Sequence, residues 1–91
     1  MEQIVRVVEG VKGERWEAFR DRHGDWGRDL VLYLGRRHGG LRLMELGRAA
    51  GHMDYAAVSA AVQRLTRRLR TDKALAAKAR QAKGDLLKVE T

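Results

Sequence analysis

The stretch from Leu43 to Arg70 decides the fold. It opens Leu43-Met44-Glu45-Leu46-Gly47-Arg48-Ala49-Ala50, turns at Gly51-His52-Met53-Asp54, and runs on as Tyr55-Ala56-Ala57-Val58-Ser59-Ala60-Ala61-Val62-Gln63-Arg64-Leu65-Thr66-Arg67-Arg68-Leu69-Arg70. In its long second half the apolar side chains Tyr55, Val58, Val62, Leu65 and Leu69 recur at steps of 3, 4, 3 and 4, one face of a helix. This spacing predicts a helix over about 55–70, with Asp54 as its N-cap and the Tyr55 ring in the core. Leu43, Leu46 and Ala50 predict a shorter helix over about 43–50, ended by Gly51 in the left-handed position that glycine tolerates best. A short helix, a glycine turn over 51–54 and a longer helix that opens on small side chains form the pattern of a helix-turn-helix. An ordinary helical hairpin, with alanine serving helix propensity, gives the same pattern.

The order of side chains on the long helix carries the chemistry. A helix that reads duplex DNA must bring its first turns against base edges in a groove about 12 Å wide. Ala56, Ala57, Ser59 and Ala60 come first and permit close approach. Gln63 and Arg64 follow with longer donors. Asp54 can accept a hydrogen bond from a cytosine amino group. The candidate base contacts are therefore Asp54, Ala56, Ser59, Ala60, Gln63 and Arg64. Arg42, Arg48, Arg67 and Arg68 flank them as candidate phosphate contacts.

Outward from this stretch the remaining chain also reads as helical. Ile4, Val7, Val8 and Val11 predict a helix over about 2–10, with Gly10 and Gly13 framing a break. Glu14 to Arg22 predicts a short second helix, ended by Gly24, with Trp16 and Phe19 on one side. Asp25 fits the N-cap of a third, over about 26–38, whose apolar face is Trp26, Leu30, Tyr33 and Leu34. Thr71-Asp72 caps a last helix over about 73–83 or longer. Its inward face would be Ala76, Ala79 and Ala82 with Leu75, Leu86 and Leu87. So little apolar bulk predicts fraying, or docking elsewhere. The expected architecture is all-α, one domain of five to six helices over 1–91. Its core lies at about 14–70 and a basic C-terminal helix at about 72–88.

The chain has 91 residues and a net charge of +7, with neither cysteine nor proline. The charge is concentrated: residues 60–83 carry eight Lys and Arg against Asp72 alone, whereas residues 1–59 carry ten against nine acids. A basic stripe attracts polyanions by releasing their condensed counterions, although a solvated helix face has the same composition. Without cysteine there is no disulfide, thiolate nucleophile or cysteine zinc site. The histidines stand apart at 23, 38 and 52, which predicts no metal site. Ser59, Thr66, Thr71 and Thr91 lie in no glycine elbow, and no phosphate loop occurs. Neither catalysis nor a cofactor is expected. No stretch approaches the roughly 20 apolar residues of a membrane span, and no signal-peptide plan opens the chain. A cytoplasmic, nucleoid-associated location follows as an expectation.

Leu41-Arg42-Leu43-Met44-Glu45-Leu46-Gly47-Arg48, followed by Asp54-Tyr55-Ala56-Ala57-Val58, resembles the C-terminal DNA-binding domain (domain IV) of the bacterial replication initiator DnaA. Arg28-Asp29-Leu30-Val31-Leu32-Tyr33-Leu34 is similar to an upstream helix of that domain. Trp16 to Phe19, His23-Gly24-Asp25-Trp26-Gly27-Arg28-Asp29 and Asp54-Tyr55-x-x-Val58-Ser59 look closer still to the C-terminal domain of REP-associated tyrosine transposases. The resemblance spans roughly residues 14–70. It implies a Trp-repressor-like helix-turn-helix and double-stranded DNA as partner. It also implies that Arg20, Arg22 and His23 occupy a minor-groove loop and that Arg28 is a basic contact.

The sequence departs from the initiator pattern at Tyr55, Ala56 and Ala57, where the family has His and two Thr, so a different DNA target is expected. Arg20 and Arg22 have a local alternative, pairing with Glu17, Asp21 or Asp25. No His-x-His pair of a transposase catalytic domain is present, so the chain is expected to be a fragment of a larger protein or a stand-alone relative of its tail. Hairpin or single-stranded nucleic acid, and a homodimer formed through the alanine face of the last helix, remain alternatives.

Overall fold

The computed structural model describes residues 1–22 and 24–90. His23, expected in the basic loop, and Thr91 lie outside the described residues. The described residues form an all-α fold of six helices: α1 (Glu2–Lys12), α2 (Trp16–Phe19), α3 (Trp26–Arg37), α4 (Leu43–Ala49), α5 (Tyr55–Thr71) and α6 (Lys73–Glu90).

Three aspartates set the starts of the long helices. Asp25 accepts from the Gly27 backbone N–H at 2.7 Å, Asp54 from Ala57 at 2.7 Å and Asp72 from Leu75 at 2.9 Å. Each satisfies a donor that the first helical turn leaves without a partner, worth about 1 kcal/mol. Gly10 does not break α1. The helix runs on to Gly13, whose φ of 75° lets its N–H reach the Glu9 carbonyl at 2.8 Å.

Two apolar clusters fill the interior. The larger gathers Ile4, Val7 and Val8 of α1, Phe19, Leu30, Val31 and Leu34 of α3, Leu65 of α5, and Leu75, Ala79, Ala82 and Leu86 of α6. The smaller holds Leu32, Leu46, Ala50, Val58 and Ala61, where α4 covers α3 and α5. The expectation of a thinly buried last helix is therefore corrected: α6 packs against α1, and Ala79 and Ala82 are inside the core. Short alanine side chains give little area each, but they permit close approach to the β-branched stripe of α1. The core accordingly extends beyond 14–70 at both ends. Leu87 is half exposed and not inward.

Lys12 ties the N-terminal elements together. Its buried ammonium is paired with Glu14 and lies 3.4 Å from Asp25 Oδ2, with the rings of Phe19 and Trp26 at 5.1 and 5.2 Å. Trp16 meets Phe19 edge to face at 5.3 Å.

Three carboxylates in contact with solvent are held below their ordinary range: Glu14 by Lys12 and Arg22, Asp21 by Arg20, and Asp72 by the Leu75 N–H and Arg68. A depressed folded-state value stabilises the protein above the unfolded carboxylate range near about 4, and that contribution is lost as pH falls through the folded values. Thermal melts should therefore give a flat Tm from neutral pH down to about 5 and a falling Tm below about 4. An unchanged Tm below this range would show that these contacts add nothing to stability.

Candidate nucleic-acid interface

The α4–α5 unit is fixed by its turn. Glu45 accepts from the Arg42 backbone N–H at 3.2 Å, which closes the start of α4 and leaves the Arg42 side chain exposed. At its end the Gly47 carbonyl accepts from Met53 N–H at 2.9 Å and from Ala50 N–H at 3.3 Å. Gly51 and His52 are both left-handed, with φ of 78° and 64°. His52 thus holds a conformation that costs an L-residue about 1–2 kcal/mol. Gly47 is required by contact: a Cβ there would stand 2.0 Å from the Met53 carbonyl oxygen, a backbone atom.

α5 then separates its faces. Val58, Ala61 and Leu65 are buried. Ala56, Ala60, Gln63, Arg67 and Arg70 are exposed and recur at steps of 4, 3, 4 and 3, a single ridge along the helix. Ser59 flanks that ridge, half-buried. Three candidate base contacts, Ala56, Ala60 and Gln63, therefore stand together on the solvent side. Asp54 lies at the ridge's N-terminal end, with one carboxylate oxygen engaged in the cap.

Arg64 does not join them. Its guanidinium grips Asp29 on α3 through two bonds, Nε to Oδ2 at 2.8 Å and Nη2 to Oδ1 at 3.0 Å. The Asp29 side chain is 1% exposed and that of Arg64 35%. The carboxylate holds the guanidinium above its ordinary pKa. The sequence-based placement of Arg64 beside bases is thus replaced by a fork that joins α3 to α5.

The basic set divides in the same way. Arg42, Arg48 and Arg67 are exposed and enter no ion pair with a described residue. Arg20 pairs with Asp21 at 3.2 Å, Arg22 with Glu14 and Asp25 at 3.1 Å each, and Arg68 with Asp72 at 3.3 Å. Arg28 is only 6% exposed, and its buried Nε has no hydrogen-bond partner, so it is not the surface contact expected of it. The Arg20–Asp21 pair sits against the turn: a Cβ on Gly51 would meet Asp21 Oδ1 at 2.6 Å.

Tyr55 is the clearest correction. The residue is 63% exposed rather than core, and Met44 is 61% exposed on α4. The two residues line one shallow cleft with Arg48, His52, Met53 and Asp54. The only sequence signal for this exposure is its position as the first residue of α5, ahead of the part that α4 covers.

Among the described residues no three His, Cys, Asp or Glu side chains come together as a metal site, and no helix is long and apolar enough to cross a membrane. Comparison of the chain with protein-family models, with curated proteins and with solved structures finds no match.

Proposed function

We propose that this chain is a double-stranded DNA-binding module in which α4, the turn and α5 act as a helix-turn-helix. The observation that carries the reading is the exposed ridge of α5, small at Ala56 and Ala60 and then donor-bearing at Gln63 and Arg67. Small side chains let the backbone of α5 approach the major-groove floor. Gln63 then reaches base edges, where a glutamine amide can bond adenine through two contacts. Arg42, Arg48 and Arg67 hold phosphates, and Arg20, Arg22 and Arg68 add to them by exchanging their carboxylate partners for phosphate. Binding of this kind needs no cofactor and involves no bond-making step. The sequence resemblance to initiator and transposase tails agrees with it and favours a nucleoid-associated location.

Four to six phosphate contacts give a log–log salt slope of about −4 to −5, hence about a 300- to 1,000-fold loss of affinity from 50 to 200 mM salt. Fluorescence anisotropy with duplex DNA measures this slope. Affinity that ignores salt would remove the proposal. Selection from a random duplex pool supplies the preferred site. Against that site and a scrambled one, Gln63→Ala should cost about 1–3 kcal/mol on the preferred site only, whereas Arg67→Ala should weaken both alike and flatten the salt slope by about 1. Equal losses on both duplexes from the two variants would remove Gln63 from the groove.

A second reading, recognition of hairpin or single-stranded DNA, is favoured by the exposed Tyr55 ring, a face on which a base can stack. Such stacking is worth about 1–3 kcal/mol by alanine substitution. Under this reading Tyr55→Ala weakens single-strand binding by that amount and leaves duplex binding unchanged; the reverse outcome selects the duplex.

A further inference from the structure

A groove of about 230 Å³ opens where α6 passes over the last turns of α3 and α5. Leu34, Leu69, Ala76 and Ala79 give it apolar walls. Tyr33, His38, Arg80 and Lys83 complete the lining, and no acidic side chain contributes. Arg80 and Lys83 are exposed, lie three residues apart on one side of α6, and have no ion-pair partner among the described residues. A further cation, Arg37, lies over the Tyr33 ring at 5.5 Å. Apolar walls beside two unneutralised cations, with a phenol and an imidazole nearby, suit one kind of occupant. Its body must be apolar enough to dry the walls, and its end must be anionic. The volume falls below the roughly 300–1,000 Å³ of sites for drug-sized molecules, which limits the ligand to a small metabolite. A cation would be repelled, and a sugar–phosphate backbone would leave the apolar walls wet.

We propose that this groove binds a small anion with a compact apolar body, an aromatic or branched aliphatic carboxylate. The carboxylate is held by Arg80 and Lys83 and the body by Leu69, Ala76 and Ala79. The site is separate from the exposed ridge of α5 and does not depend on the DNA reading.

The test uses 2-naphthoate and its neutral counterpart 2-naphthamide as probes, titrated into the full chain and followed by backbone amide NMR shifts. Naphthoate should produce saturable shifts confined to the amides around Tyr33, His38, Leu69, Ala76, Ala79 and Arg80. Naphthamide should bind at least about tenfold more weakly, since the charge-assisted hydrogen bonds are lost. The Arg80→Gln/Lys83→Gln double variant should show the same loss for naphthoate. Both positions are exposed, so the spectrum of the unliganded variant should stay that of the folded chain. Ala76→Leu, which fills the groove, should remove naphthoate binding altogether. The proposal is overturned by shifts that do not saturate, by shifts spread over α1 to α4, or by equal affinity for acid and amide. It is also overturned if a duplex oligonucleotide moves these amides while naphthoate leaves them still, because the groove would then belong to a polyanion surface. Failure of the chain to bind any DNA leaves this titration unaffected.

Discussion

Arg64→Leu lowers the stability of the domain by about 3–5 kcal/mol, because it leaves the Asp29 carboxylate buried without its counter-charge. A domain of this size is expected to hold roughly 5–14 kcal/mol in all, so this one change brings it near its unfolding threshold. Denaturant titration followed by helical circular dichroism measures the loss. Asp29→Leu alone should cost less: the Arg64 side chain is 35% exposed, and its guanidinium can swing into water once the acid is gone. Combining the two changes should recover most of the loss, as replacing a buried ion pair by apolar side chains often does. A loss under about 1 kcal/mol for Arg64→Leu would show that the fork is not what joins α3 to α5. The double variant also bears on recognition. If Arg64 serves only the fold, the refolded double variant keeps its duplex affinity; a loss of tenfold or more, about 1.4 kcal/mol, returns Arg64 to the bases.

Gly47→Ala is the second large effect. The added methyl would lie 2.0 Å from the Met53 carbonyl oxygen and 3.4 Å from a Val58 methyl. The obstructing atom is backbone, and the same segment returns a hydrogen bond from Met53 N–H to the Gly47 carbonyl. The turn must open, so a loss of about 3 kcal/mol is expected, at the upper end for an overpacked site. Duplex affinity should fall with it, since α4 and α5 lose their fixed relation. Gly84→Ala is the control. It lies within α6 with open space around it, and should stabilise by about 0.5–1 kcal/mol through helix propensity alone. Similar stabilisation by both substitutions would show that α4 and the turn are not in close contact.

The helices and caps were legible because their causes are local. Asp25, Asp54 and Asp72 each stand immediately before a run with helical spacing, and each makes the expected bond two or three residues ahead. The same locality explains the failures. Arg64 and Asp29 lie 35 residues apart, and nothing near either one announces the other. Lys12 reads as an ordinary terminal cation of α1 until the chain returns to bring Asp25 and Trp26 around it. Tyr55 fits the apolar period of α5, yet periodicity does not say how far along α5 the cover of α4 reaches. α6 looked under-supplied with apolar bulk because its partner, α1, stands at the other end of the sequence. For the candidate interface, the exposed ridge of α5 was legible in order and residue type. The division of the arginines was legible in part: the pairing of Arg20 with Asp21 and of Arg22 with Asp25 is local and stood open in the sequence, whereas the Arg64–Asp29 fork and the burial of Arg28 depend on packing that no neighbouring residue announces.

The packing of α1 against α6 makes the core complete only when both ends of the domain have been synthesised. During synthesis α1 leaves the ribosome before α6, and α3, which also packs on α1, is the first long helix able to cover part of its stripe. The clasp closes after α6 has cleared the exit tunnel. Until then the part of the Ile4, Val7 and Val8 stripe that faces α6 stays without its native cover.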